Sequence, residues 1–153
     1  MRKDCNMKIT SSAFENNSSI PAKYTCDDKD FSPPLQFSQV PTEAKSLVLI
    51  CDDPDAPGET WIHWTAWNID PKTTHIAEGT VPSGAVQGLT SFGEVGYGGP
   101  CPPSGTHRYF FKLYALDNTL DLPYQVGKED IEKVMVGHIL AQAELVGTYS
   151  KER

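Results

Sequence analysis

The sequence has no apolar run longer than about six residues, against the ~20 that a membrane-spanning helix requires. It therefore reads as having no transmembrane helix. Basic residues are in the minority: 13 Lys and Arg stand against 20 Asp and Glu, a formal net charge of −7. Nucleic acid and anionic membrane call for clustered positive charge, so small ligands or proteins are the partners left. The four cysteines, at 5, 26, 51 and 101, include no Cys-x-x-Cys pair, which argues against a zinc knuckle. No apolar core follows the charged start Met1-Arg2-Lys3, so no secretory signal is read there, and the expectation is a cytoplasmic protein with reduced thiols. Repeats and low-complexity tracts are also missing. That leaves a single domain over residues 7–153, preceded by a loose extension over 1–6.

What is present is turn chemistry and aromatic residues. Twelve Gly, twelve Pro, six Tyr, six Phe and three Trp in 153 residues suggest short strands joined by many turns, a mostly β protein. Ser46 to Cys51 is apolar and too short for a core helix, so it predicts a strand buried on both faces. Prolines 54 and 57 then bend the chain, and Trp61 to Asp70 resumes as a second central strand. Its alternation predicts Trp61, His63, Thr65, Trp67 and Ile69 on one face. Met7 to Ser11 and Leu35 to Phe37 read as short strands, and Pro71 to Gly88 as a long connection. His107 to Leu116 predicts an aromatic strand with His107, Tyr109, Phe111 and Leu113 on one face. Lys128 to Val136 has helical spacing and a stop at Gly137, and Ile139 to Tyr149 alternates as a last strand.

Two stretches concentrate chemistry. The first, Asp53-Pro54-Asp55-Ala56-Pro57 with His63, ends a buried strand in carboxylates and places a histidine across a stiff corner. The second, Gly93 to Thr106, mixes Gly96, Gly98 and Gly99 with Pro100, Pro102 and Pro103, which makes a rigid loop with exposed amides. Together, Asp53, Asp55, His63, His107 and Tyr109, with the amides of Gly98, Gly99 and Cys101, suggest one pocket. A histidine beside a carboxylate favours its protonated form, and a hydroxyl and backbone amides add neutral donors, so the pocket suits an anion. Either histidine alone would read as an ordinary strand residue; two beside Pro- or Gly-rich turns point to a site. Cys51 reads as a core filler and Cys101 as a loop thiol. The acids at 27 to 30 lack the spacing of a calcium loop and read as a solvated turn.

The strings Asp53-Pro54-Asp55-Ala56-Pro57, His63-Trp64 and Gly98-Gly99-Pro100-Cys101-Pro102-Pro103-Ser104-Gly105-Thr106-His107-Arg108-Tyr109 closely resemble the phosphatidylethanolamine-binding protein family, in its bacterial and archaeal Raf-kinase-inhibitor-like branch. Ser32 to Leu35, Tyr114 to Asp117, Gly137-His138 and Gly147 to Tyr149 extend the resemblance over residues 7–149. It implies an antiparallel β-sandwich of a large and a smaller sheet with one or two short helices. It also implies a pocket for phosphate or phosphoryl headgroups at Asp53, His63, Gly99, Cys101, Pro103, His107 and Tyr109. At 101 the animal members of the family carry glycine. The resemblance further suggests a homodimer and a regulated protein partner, such as a kinase or protease.

Three function classes compete. A binding module for a small phosphorylated or anionic ligand leads, without cofactor, resident metal or catalytic residue. An interaction protein follows. A hydrolase using the Asp53, His63 and His107 cluster comes third, because Ser104 has no nucleophile elbow around it; two histidines and a carboxylate could also hold a metal by residue type alone.

Overall fold

The computed structural model describes residues 6–123 and 125–150. The loose extension expected over residues 1–6 therefore lies, apart from Asn6, outside the described residues.

Among the described residues, nine strands form two sheets. The smaller holds β1 (Lys8–Thr10), β3 (Leu35–Ser38) and β6 (His75–Ile76) in the order β1-β3-β6, all antiparallel. The larger runs β2-β9-β8-β4-β5-β7, from β2 (Ser18–Ser19), β4 (Ser46–Asp53), β5 (Trp61–Ile69), β7 (Val86–Gln87), β8 (Thr106–Leu116) and β9 (Ile139–Ser150). Its pairs are antiparallel except for the short parallel contact of β2 with β9. The predicted sandwich of a large and a small sheet is what the chain forms. The connection read over 71–88 proves to contain β6 and β7, two-residue strands too short to leave a periodic signal.

The core lies on both faces of the large sheet. Between the sheets pack Ile9, Leu35, Phe37, Leu47, Leu49, Cys51, Trp64, Phe111, Leu113 and Leu145. On the opposite face Val48, Ile50, Trp67 and Leu116 are covered by Ile131 and Met135 of α1 (Lys128–Met135). Alternate residues of β4 thus enter two different clusters, which is why it is buried at all eight positions and why its sequence is continuously apolar. Each large side chain removed from water here contributes about 1.5–3 kcal/mol. Glu129 and Asp130 favour the first turn of α1 through its dipole, and Gly137, at φ +83°, turns the chain out of it.

The strand β5 departs from simple alternation. Against β4, Cys51 pairs with Trp64 but Asp52 pairs with Ile62, so His63 is an extra residue in a β-bulge. A second register shift lies between Leu49 opposite Ala66 and Leu47 opposite Ile69. There Asn68 adopts φ +57° and its side chain bonds both Leu120 N and Leu120 O. The predicted single face from Trp61 to Ile69 is corrected accordingly. Past the bulge, Trp64 and Ala66 enter the core between the sheets, while Trp67 turns to the helix side.

Candidate functional site

β4, β5 and β8 lie side by side, and the site forms where they end together. Asp53 is the last residue of β4 and His107 the second of β8. Both are almost fully buried, at 3% and 7% exposure. Asp53 Oδ2 accepts from His107 Nδ1 at 2.6 Å, and Asp53 Oδ1 accepts from the amide of Asp55 at 2.8 Å. Both carboxylate oxygens are therefore engaged, and the imidazole of His107 keeps Nε2 for another partner. Asp55 itself turns away. Its carboxylate accepts from Arg108 Nε and Nη2, both at 2.9 Å, and this guanidinium lowers its pKa to about 2.

His63 reaches the same place by way of the bulge. Its Nδ1 donates to Gly98 O at 2.6 Å, and Gly98 N donates back to His63 O at 2.9 Å. The ring stands edge-on to Tyr109 at 5.2 Å and to Phe92 at 5.3 Å. Burial pushes its pKa below the ordinary 6.5, with the Gly98 carbonyl and Asp53 opposing. Of the two histidines, it is His107 that Asp53 serves, while burial holds His63 toward the neutral ring. With Nδ1 donating, a neutral His63 presents Nε2 as an acceptor.

Ala56, Pro57, Trp61, Phe92, Pro102 and Pro103 wall a cavity of about 230 Å³, joined by Asp53, His63, Cys101, His107 and Tyr109. Tyr109 carries the most telling atom. Its hydroxyl is buried and has no hydrogen-bond partner, and burial with the nearby Asp53 charge pushes its pKa upward. Leaving such a group unpaired costs about 1–3 kcal/mol.

Six of the seven predicted residues line this cavity; Gly99 does not. Its amide donates to Asp30 Oδ1 at 2.8 Å, and a Cβ at 99 would overlap both that oxygen and Tyr24 O. Gly99 is therefore glycine so that the loop can lie against the Tyr24–Asp30 turn. The amide of Gly98 is likewise taken by His63 O, so the expected nest of free loop amides loses both of these donors. Cys101 is corrected as well: it is no free thiol but the partner of Cys26 in a disulfide across 75 residues. Among the described residues Cys51 is the free cysteine, buried in the core as expected.

Of the apolar walls, sequence reading names Pro103 and misses the rest. Trp61 lies opposite Asp53 in the β4–β5 register, a placement open to anyone who closes the Pro54–Gly58 turn as a hairpin. Phe92 belongs to a loop with no periodic signal to reveal it. Among the described residues, no three His, Cys, Asp or Glu side chains are placed to hold a metal, and no helix is long and apolar enough to cross a membrane.

Comparison with known proteins finds the same sequence pattern and fold elsewhere. The profile of the phosphatidylethanolamine-binding protein family matches residues 10–150. A UPF0098 protein of Methanothermobacter thermautotrophicus is 51% identical over 150 residues, covering 95% of this chain and 99% of that one. A UPF0098 protein of Chlamydia trachomatis is 50% identical, over 95% of this chain and all of its own. Among solved structures, a phosphatidylethanolamine-binding protein homologue from Chlamydia trachomatis superposes with a TM-score of 0.93 at 49% identity, covering 97% of this chain and 100% of that one. YbcL of E. coli, described as a member of the mammalian PEBP family, gives 0.89 at 30% identity over 95% and 99%.

Proposed function

This chain belongs to the phosphatidylethanolamine-binding protein family, and from that premise we propose that it binds a small oxyanion, phosphate or a phosphoryl headgroup, in the cavity at the end of β4, β5 and β8. The observation that carries the reading is the buried Tyr109 hydroxyl without a partner on the wall that also holds His107. A ligand oxygen would satisfy it. His107, held by Asp53, turns Nε2 to the ligand, Tyr109 offers its hydroxyl as donor, and His63, whose Nε2 accepts, suits a protonated ligand oxygen. Asp53 orients, Gly99 holds the loop, and Cys101 and Pro103 give the wall its shape. The cavity, about 230 Å³, falls below the ~300–1,000 Å³ of drug-sized ligand sites, which suits a headgroup rather than a whole amphiphile. Phosphate or phosphoethanolamine at millimolar concentration is expected to raise the melting temperature, and His107→Ala to abolish the rise. An unshifted wild-type protein would count against the reading.

A protein partner is the second reading. Phe92 of the cavity wall is exposed by 42%, and Leu89 and Val95, bridged to each other on either side of it in sequence, by 38% and 41%, apolar exposure of the kind that contacts other proteins. Capture of a kinase or protease that is lost on Phe92→Asp would favour it; capture indifferent to that change would oppose it. Catalysis ranks third, since among the described residues the cavity lining holds no serine, threonine or free cysteine. A homodimer belongs with these proposals and is read directly by light scattering. The cytoplasmic location inferred from the start of the chain sits uneasily with the Cys26–Cys101 disulfide, because such bonds persist chiefly in oxidising compartments or in intracellular proteins of hyperthermophiles.

A further inference from the structure

The Cys26–Cys101 disulfide lies in the cavity wall, with Cys101 among the residues that line it. Both cysteines are exposed to solvent. The loop that carries Cys101 is secured unequally along its length. Upstream, Tyr97 OH donates to Tyr24 O at 2.7 Å, Gly98 exchanges bonds with His63, Gly99 N donates to Asp30, and Pro100 O accepts from Cys26 N at 3.2 Å. Downstream, β8 takes over at Thr106, which pairs with Ser150. Between these anchors, among the described residues, the main chain of 101–105 makes no backbone hydrogen bond. Three cavity-lining residues, Cys101, Pro102 and Pro103, belong to this span. The disulfide is its one covalent fixing point to the neighbouring turn.

We propose that this disulfide is a redox-controlled tether of the binding cavity: oxidised, it holds the 101–105 wall in place around the anion; reduced, it releases that wall and weakens binding. The inference rests on the anion reading above. The step is thiol–disulfide exchange with a dithiol. Its thiolate attacks one exposed sulfur, breaking the Cys26–Cys101 bond and forming a mixed disulfide, and the leaving thiolate takes a proton. The second thiol of the reductant then displaces the protein sulfur and closes the reductant's own disulfide. Two electrons and two protons pass to the protein, leaving Cys26 and Cys101 as thiols. The hydrogen bonds of Tyr97, Gly98 and Gly99 are untouched by this exchange, so His63 and the loop before 101 keep their positions. The loss is confined to pre-organisation of the wall, which the ligand must then supply from its own binding free energy.

The test measures the affinity for inorganic phosphate by NMR titration of the oxidised protein, of the same protein in excess dithiothreitol, and of the Cys26→Ser variant, which alters no cavity-lining residue. Reduction is expected to weaken binding roughly tenfold, reoxidation to restore it, and Cys26→Ser to bind weakly with or without reductant. Equal affinity in the oxidised and reduced protein overturns the tether and leaves the anion reading standing. Absence of saturable binding in every sample overturns both. Backbone nitrogen-15 relaxation supplies a readout independent of ligand. Lower order parameters confined to Cys101, Ser104 and Gly105 on reduction support a local tether, whereas order parameters unchanged there, or lowered through β4 and β8, contradict it.

Discussion

Tyr109 is the residue at which stability and binding separate. Its ring is fully buried and belongs to the core between the sheets, while its hydroxyl destabilises the empty protein because no atom receives it. Replacing it by phenylalanine deletes an unsatisfied polar group and keeps the packing. Tyr109→Phe is therefore expected to raise the unfolding free energy, by up to about 1–3 kcal/mol, while weakening phosphate binding. A loss above ~1 kcal/mol in urea unfolding would mean that the hydroxyl has a protein partner after all. His63 makes a second residue-scale prediction. Its folded pKa lies below the ordinary 6.5 because of burial, so the unfolded chain binds the proton more readily than the folded one. The stability contributed by a neutral, buried His63 is complete above about pH 6.5 and is lost as pH falls through the depressed folded value. His63→Gln removes that dependence: its unfolding curves at pH near 8 and near 5 should lie closer together than those of wild type. An unchanged gap would show that other groups carry the acid sensitivity.

At the scale of elements, strand existence was legible and strand detail was not. The five apolar residues after Ser46, the alternation after His107 and the helical spacing after Lys128 each encode burial on a definite face, and each element formed with nearly the expected bounds. The bulge at His63 left no such trace, since one extra residue changes the register without changing the composition. That single insertion decides the site. It brings His63 against Gly98 instead of Asp53, and it leaves Asp53 to His107. Gly99 shows the converse, a site residue by motif whose role is to let two loops touch. Gly99→Ala is expected to cost about 1–3 kcal/mol of stability, because the added methyl group meets Asp30 Oδ1 and the carbonyl of Tyr24. Any loss of phosphate binding should track the displaced loop, with the Asp53–His107 pair intact. Wild-type stability in the variant, by thermal or urea unfolding, would contradict the close approach.

At the scale of the whole molecule, the two sheets and α1 bury β4 on both sides and so fix the strand ends on which the cavity is built. The disulfide adds a long-range link that the sequence does not display, because pairing across 75 residues has no local signature. Closing so long a loop restricts the unfolded chain, and its removal by reduction or by Cys26→Ser should lower unfolding free energy by ~2–4 kcal/mol. A fold with two well-packed clusters is expected to survive that loss. Complete unfolding on reduction would show that the cores alone cannot hold the sandwich. The acidic surface, net charge −7, gives no help in attracting an anion, so recognition has to reside in the few donors at the strand ends.

Those donors can be watched directly. The chain has four histidines: His63 and His107 line the cavity, while His75 lies in β6 of the smaller sheet and His138 just after α1. Nitrogen-15 NMR of the imidazoles during titration with inorganic phosphate separates the two pairs in one experiment. Saturable shifts are expected at His107 and His63 with a common affinity, with unmoved signals from His75 and His138. Four unmoved histidines, or shifts at His75 and His138 equal to those at the cavity, would contradict it.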